Sequence, residues 1–218
     1  MTWGVYEGKY EVDSPLAFLK LSYWHHKLSG DSKPFDDAWR AAVDSALETI
    51  EAMCHVGTDP AVQPYSFQRT TSVATDTLGL GGLGPAGRPV PGQARGLTRS
   101  LFRPSDDATT LPYNIPGNAM ACVELGHAEQ LLRALGDSNR GQHAGRLADS
   151  ICQGLNHVAK QTQSGLSTTP DKDQSTAQGT GTGLPYEVDG FGGRLFMDDA
   201  NIPSLLALPI LGYASPDS

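Results

Sequence analysis

Apolar residues recur at helical spacing in four stretches of the chain, while the strict alternation that marks a half-buried strand is scarce. Residues 15–29 predict a first helix. Pro15 suits its first turn, Ser14 its cap, and Leu16, Leu19, Tyr23 and Leu28 approximate one apolar face before Gly30-Asp31 ends it. Phe35, Trp39, Val43, Ala46, Leu47, Ile50 and Cys54 share a face over 35–56 and predict a second, with Asp36 and Asp37 where the helix dipole favours anions and Gly57 as the stop. Residues 116–135 and 138–161 predict a third and a fourth, joined through Gly136-Asp137 into a hairpin, with Leu147, Ile151, Leu155 and Val158 on the buried face of the fourth. A short last helix is expected over 201–211, entered through Pro203.

The connections are long. Within 58–100 the run LGLGGLGPAGRPVPG, residues 78–92, is too rich in Gly and Pro for regular structure. It lacks the lysine and hydroxyl of a phosphate-binding loop and the strand-then-helix frame around one. A polar Ser/Thr/Gln/Gly stretch fills 162–183. Hairpins of helices joined by loops that carry polar motifs predict an all-α domain of the α/α toroid type, in which loops at one end line a pocket. A plain bundle or a solenoid is the competing architecture, and the solenoid lacks a repeat of fixed period.

Composition narrows the partners. The 218 residues carry a formal net charge of -8, against the basic face that nucleic acid or an anionic membrane surface requires. No stretch is long and apolar enough for a membrane span, and Met1-Thr2-Trp3-Gly4-Val5 lacks a signal pattern, so the compartment stays open. The three cysteines form no CxxC pair and are odd in number; Cys122 and Cys152 sit in apolar helical patterns and read as core residues outside any disulfide framework. The chain opens almost at once on a motif-dense segment and stops soon after the apolar run 205–213, so the expectation is the central part of one larger domain, incomplete at both ends.

Three polar segments lie at helix borders: 6–14 (YEGKYEVDS), 102–108 (FRPSDDA, leading to Tyr113 and Asn118), and 186–192 (YEVDGFG, continuing to MDDAN at 197–201). Each joins carboxylates to aromatics, the mixture a sugar site needs. Carboxylates accept hydrogen bonds from hydroxyls, and aromatic faces pack on sugar C–H faces. Glycoside hydrolysis requires a carboxylic acid to protonate the leaving oxygen and a carboxylate to activate water or attack. Neighbouring carboxylates repel, which helps one of them keep its proton. The plainer alternative is that Asp106-Asp107 and Asp198-Asp199 cap turns or helices, and that Tyr113 and Trp3 are core rather than sugar platforms. No HExxH, GxSxG or EF-hand spacing supports a zinc, serine-hydrolase or calcium site, so no metal and no cofactor is expected.

At these segments the sequence resembles glycoside hydrolase family 125, the exo-α-1,6-mannosidases. The strings that carry the resemblance are KYEVDS (9–14), FRPSDDAT (102–109) with LPYNIPGNAM (111–120), and YEVDGFGG (186–193) with MDDANIPSLLALPILGY (197–213), in the family's order. The 78–92 insertion looks fungal in type. The resemblance implies a partial (α/α)6 barrel with long Gly/Pro-rich loops. It implies removal of terminal α-1,6-linked mannose from a mannose-containing oligosaccharide, with inversion and without a metal. It places the general acid at Asp106 or Asp107, with Arg103 and the other Asp on the mannose or holding the acid. It sets Asp13, Tyr113, Asn118, Glu187, Asp189, Asp198 and Asp199 to line or support the pocket. The family's general base belongs to a later segment that this chain does not reach, so the chain is expected to be inactive alone. A mannose-binding module without catalysis, or another α/α-toroid glycosidase, is the alternative; the oligomeric state is left open.

Overall fold

A computed structural model describes residues 8–55, 67, 69, 72, 95–164 and 183–215. Trp3 and the 78–92 run lie outside the described residues. Regular structure among them consists of four helices and a small sheet: α1 (Asp13–Ser29), α2 (Asp37–His55), β1 (Tyr113–Asn114), α3 (Ile115–Ala134), α4 (Ser138–Ser164), β2 (Glu187–Val188) and β3 (Arg194–Leu195). The four long helices stand where apolar spacing predicts them.

Helix α1 begins two residues earlier than its sequence signals suggest. Ser14 is not its cap; Val12 precedes the helix with helical dihedrals and no side-chain cap. Val12 is buried, so tertiary packing already holds this residue in helical geometry. Gly30 closes the helix in the left-handed conformation. Leu16, Leu19 and Tyr23 are buried, but Leu28 is 80% exposed. It stands five residues past Tyr23, roughly 140° further around the helix. At α2 the Asp36 carboxylate caps the entrance, accepting from the Trp39 N–H at 2.9 Å.

Helix α3 is enclosed between α1 and α4 and is apolar or small along much of its first three turns. Asn114 caps it by accepting from Gly117 N–H at 2.8 Å. Gly117 lies where α1 enters: a Cβ there would stand 2.7 Å from Val12 Cγ1 and 3.0 Å from the capping Asn114 Oδ1, so a larger residue would displace one of these side chains. Cys122 and Cys152 are joined by a disulfide that staples α3 to α4, correcting their reading as reduced core residues. Packed helix faces brought their Cα atoms to 5.2 Å, a proximity that spacing in the sequence does not reveal.

Two further differences matter for the site. A three-stranded antiparallel sheet, β1-β2-β3, pairs Tyr113 with Val188 and Glu187 with Leu195. Its strands are two residues long, too short to show alternation. The expected last helix over 201–211 is instead a run of turns held by bonds such as Leu211 N–H to the Ala207 carbonyl, 2.9 Å. Pro203 and Pro209 bring no backbone donors to this segment, and Asp198 takes over the N–H groups of Leu205 and Leu206 at 2.8 and 3.0 Å.

Candidate active site

The 102–109 segment is a tight loop whose ends bridge as Phe102 and Ala108. Arg103 N–H donates to the Asp107 carbonyl at 2.8 Å, and Asp106 N–H to the Arg103 carbonyl at 3.0 Å. Closing the loop this tightly puts Asp106 at φ 69°, the one non-glycine residue with positive φ among the described residues. Aspartate tolerates this region better than most side chains, at a cost of order 1 kcal/mol. The Arg69 guanidinium donates to the Asp106 carbonyl at 2.6 Å and helps hold the turn. Both Asp106 and Asp107 are exposed at its tip.

The sheet brings the third polar segment against this loop. Ile115 N–H donates to the Tyr186 carbonyl, and Tyr186 N–H to the Leu195 carbonyl, each at 2.8 Å. Glu187 is thereby fully buried beneath the loop. Its carboxylate accepts from Arg103 Nε at 2.7 Å and from the N–H groups of Thr110 and Leu111, both at 2.9 Å. Three donors satisfy a buried charge that would otherwise be costly. Further out, Ser105 Oγ donates to the Asp199 carboxylate at 2.7 Å. Burial pushes the Asp199 carboxyl up, but hydrogen bonds from Asn201 and Ser105 outweigh it and leave it below the usual carboxylate range.

The first polar segment reaches the same loop from the other side. The Lys9 ammonium contacts the Asp106 carboxylate and lies 3.3 Å from Glu11 Oε1. The Lys9 hydrogen bond, followed by one from Glu11, holds the Asp106 carboxyl below its ordinary value. Burial, followed by the same Asp106 contact, pushes the Glu11 carboxyl up. Burial also raises Asp13, in the first turn of α1, although a bond from its own backbone N–H opposes the shift. The loop thus presents an ion-paired carboxylate, Asp106, beside Asp107, whose side-chain contact is a long 3.4 Å approach from Ser105 Oγ.

The sequence-derived residues divide into those at the surface of this cluster and those that build it. Asp106 and Asp107 are at its surface; Arg103, Asp13 and Asp199 are partly buried around it; Glu187 supports it. Asp189 folds the β2–β3 turn, accepting from Phe191 and Gly193 N–H at 2.7 and 2.8 Å. Asp198 organises the 199–206 turns. The Tyr113 ring is buried and its hydroxyl accepts from Arg99 Nε at 3.2 Å, the packing expected of a core residue. Asn118 is likewise fully buried, accepting from Thr98 N–H and donating to the Thr98 and Asn114 carbonyls. An amide, with both donor and acceptor, is well suited to tie a loop to a helix in this way.

Lys9, Glu11 and Arg69 are the site residues that the motif reading passed over. Lys9 and Glu11 stand inside the string KYEVDS and could have been found there; Arg69 lies in a stretch without any pattern. Phe191 and Phe196, 63% and 49% exposed, are aromatic faces on the segment that carries Asp189 and Asp199. A cleft of about 390 Å³ between α1 and α2 is lined by Lys9, Glu11 and Phe18 but not by Asp106 or Asp107, so it lies off the carboxylate pair. Among the described residues no group of three or more His, Cys, Asp or Glu side chains has the geometry to hold a metal. No helix there is long and apolar enough to cross a membrane.

Comparison with known proteins bears on the chain as a whole. Residues 2–218 match the family model of the metal-independent α-mannosidases, glycoside hydrolase family 125. The meiotically up-regulated gene 157 protein of Schizosaccharomyces pombe is 42% identical over 219 residues, which cover 98% of this chain and 39% of that protein. A metal-independent α-mannosidase from Streptococcus pneumoniae, solved as a non-productive substrate complex with α-1,6-mannobiose, superposes with a TM-score of 0.75 at 35% identity, over 98% of this chain and 46% of the other. The chain therefore spans under half the length of these relatives and shares part of the pneumococcal enzyme's helical toroid fold. On its carboxylate-bearing loops, its helical frame and the match of nearly its whole length, the chain belongs to glycoside hydrolase family 125, the metal-independent α-mannosidases.

Proposed function

We propose that this chain carries the acid half of an inverting exo-mannosidase site that removes terminal non-reducing α-1,6-linked mannose. The observation that supports this most is the exposed Asp106-Asp107 pair on a strained turn, buttressed by the buried Glu187–Arg103 pair. The pneumococcal relative's complex with α-1,6-mannobiose supports the linkage. In this reading Asp107 is the proton donor to the leaving oxygen. Asp106, engaged by Lys9 and therefore ionised, accepts from mannose hydroxyls, and Arg103 and Asp199 complete the sugar's polar surroundings. An inverting reaction also needs a second carboxyl roughly 6.5–9.5 Å from the donor to activate water. On the shares of length matched, we assign that base to the part of the domain that the relatives have and these 218 residues do not match. The Cys122–Cys152 disulfide supports maturation in an oxidising compartment.

The test is a full-length protein carrying Asp106→Asn or Asp107→Asn, assayed on α-1,6-mannobiose and on an activated aryl α-mannoside. Asp107→Asn should lower kcat on the disaccharide by about 10²–10⁴ and less on the aryl substrate, whose leaving group needs no proton, with sugar affinity within about tenfold of wild type. Equal losses on both substrates would remove Asp107 from the donor role. Binding of mannose by a wild type that hydrolyses no mannoside would favour a binding module instead.

A further inference from the structure

Asp106 is held by groups that a mannose-contacting carboxylate does not need for folding. Its side chain is 69% exposed, yet its grip comes from the protected side: Lys9 and Glu11 are 14% and 19% exposed. Lys9 Nζ contacts both carboxylates, so Glu11 and Asp106 share one ammonium. Lys9 also lies over the Phe102 ring, 5.4 Å from its centroid, which fixes the ammonium against the base of the loop. The main chain of Asp106 is held separately: its N–H donates to the Arg103 carbonyl, and its carbonyl accepts from the Arg69 guanidinium. The turn thus has main-chain bonds of its own, and the Lys9–Glu11 couple reaches the carboxyl instead.

We propose that Glu11 and Lys9 are positioning residues of this site, a couple in the segment before α1 that orients the Asp106 carboxyl toward the sugar. The proposal rests on the mannosidase reading above. The charged groups facing Asp106 are Lys9, Glu11, Arg69 and, through space, Asp13. Lys9 and Glu11 act on it most strongly, and removing either raises the pH at which Asp106 loses its charge. Glu11 holds its own proton more firmly because it is partly buried and bonded to Asp106. The two carboxyls and one ammonium then behave as a unit with shared proton steps.

The experiment uses the full-length protein with Lys9→Met, Glu11→Ala and Glu11→Gln. Two readouts are taken: kcat and KM on α-1,6-mannobiose against pH, and the side-chain carboxyl NMR titration of Asp106. Lys9→Met should shift the Asp106 midpoint upward by about one pH unit, and the acid limb of kcat/KM should move up with it. Glu11→Ala should lower kcat/KM about tenfold or more. Glu11→Gln, which keeps a donor for Asp106, should restore most of that loss while the Asp106 titration becomes a single step. An unmoved Asp106 midpoint in Lys9→Met, or an unmoved pH profile beside a titration that does shift, overturns the proposal. If the wild type cleaves no mannoside, the functional reading fails by itself, and the titration still decides whether the couple exists.

Discussion

Glu187 carries the clearest single-residue argument at this site. A carboxylate fully removed from water is tolerable because Arg103 and two backbone N–H groups face its oxygens. Glu187→Gln keeps the shape but removes the charge and turns an NH2 toward donors, leaving the half-buried Arg103 guanidinium without its partner. Breaking a buried pair in this way costs about 3–5 kcal/mol, so the variant should unfold at markedly lower denaturant concentration than wild type. Asp199→Asn, on a partly exposed side chain, should change stability by less than about 1 kcal/mol. A denaturation midpoint for the two variants checks both expectations, and similar midpoints would show that Glu187 is not the buttress of the loop. At this scale the sequence distinguishes poorly between roles. Glu187, Asp189, Asp198 and Asp106 all read as acidic motif positions, and burial and partners decide which one supports, which folds a turn and which faces solvent.

Among the elements, α3 and α4 form the rigid centre, because α3 is enclosed on both sides and the Cys122–Cys152 bond ties it to its neighbour. The bond spans 30 residues, and closing a loop of that length in the unfolded chain contributes about 3–4 kcal/mol on the chain-entropy model. Cys122→Ser with Cys152→Ser should lower stability by that order, read as a fall in Tm under non-reducing conditions, while the wild type treated with reductant should approach the variant. An unchanged Tm would mean that helix packing alone secures the hairpin. Cys54 is the contrasting thiol: burial pushes it up to about 12, so it stays protonated and unreactive at neutral pH. The amphipathic faces of the helices were legible from spacing, and so was the Gly136-Asp137 turn. The short strands and the 201–211 turns were not: two-residue strands carry no period, and proline at 203 and 209 suits either a helix entrance or a turn.

At the scale of the whole molecule, the segments 9–14, 102–109 and 186–201 meet although they are separated by as much as a hundred residues and more; Lys9 and Asp106 alone are 97 apart. Convergence of this kind is what a toroid achieves by bringing its connecting loops to one end. If the base lies in the part of the relatives that this chain does not match, as proposed above, the 218 residues by themselves show no turnover of α-1,6-mannobiose, and a chain extended to the relatives' length releases mannose. Assaying both forms in parallel checks this. Turnover by the 218 residues would require a base among their own carboxylates, and Glu187, already committed to Arg103, would be the first to exclude.

By itself the sequence determined the helical frame, the family and the polar loops that come together, because apolar periodicity and dense polar strings are local properties of the chain. Tertiary structure alone decided which carboxylates are buried and which are presented, that Tyr113 and Asn118 are buried, that Cys122 reaches Cys152, and that Lys9 joins Glu11 to Asp106. Each of those depends on distances between residues far apart in the chain, and the electrostatic state of a carboxyl follows from its neighbours and its burial, neither of which the order of residues displays.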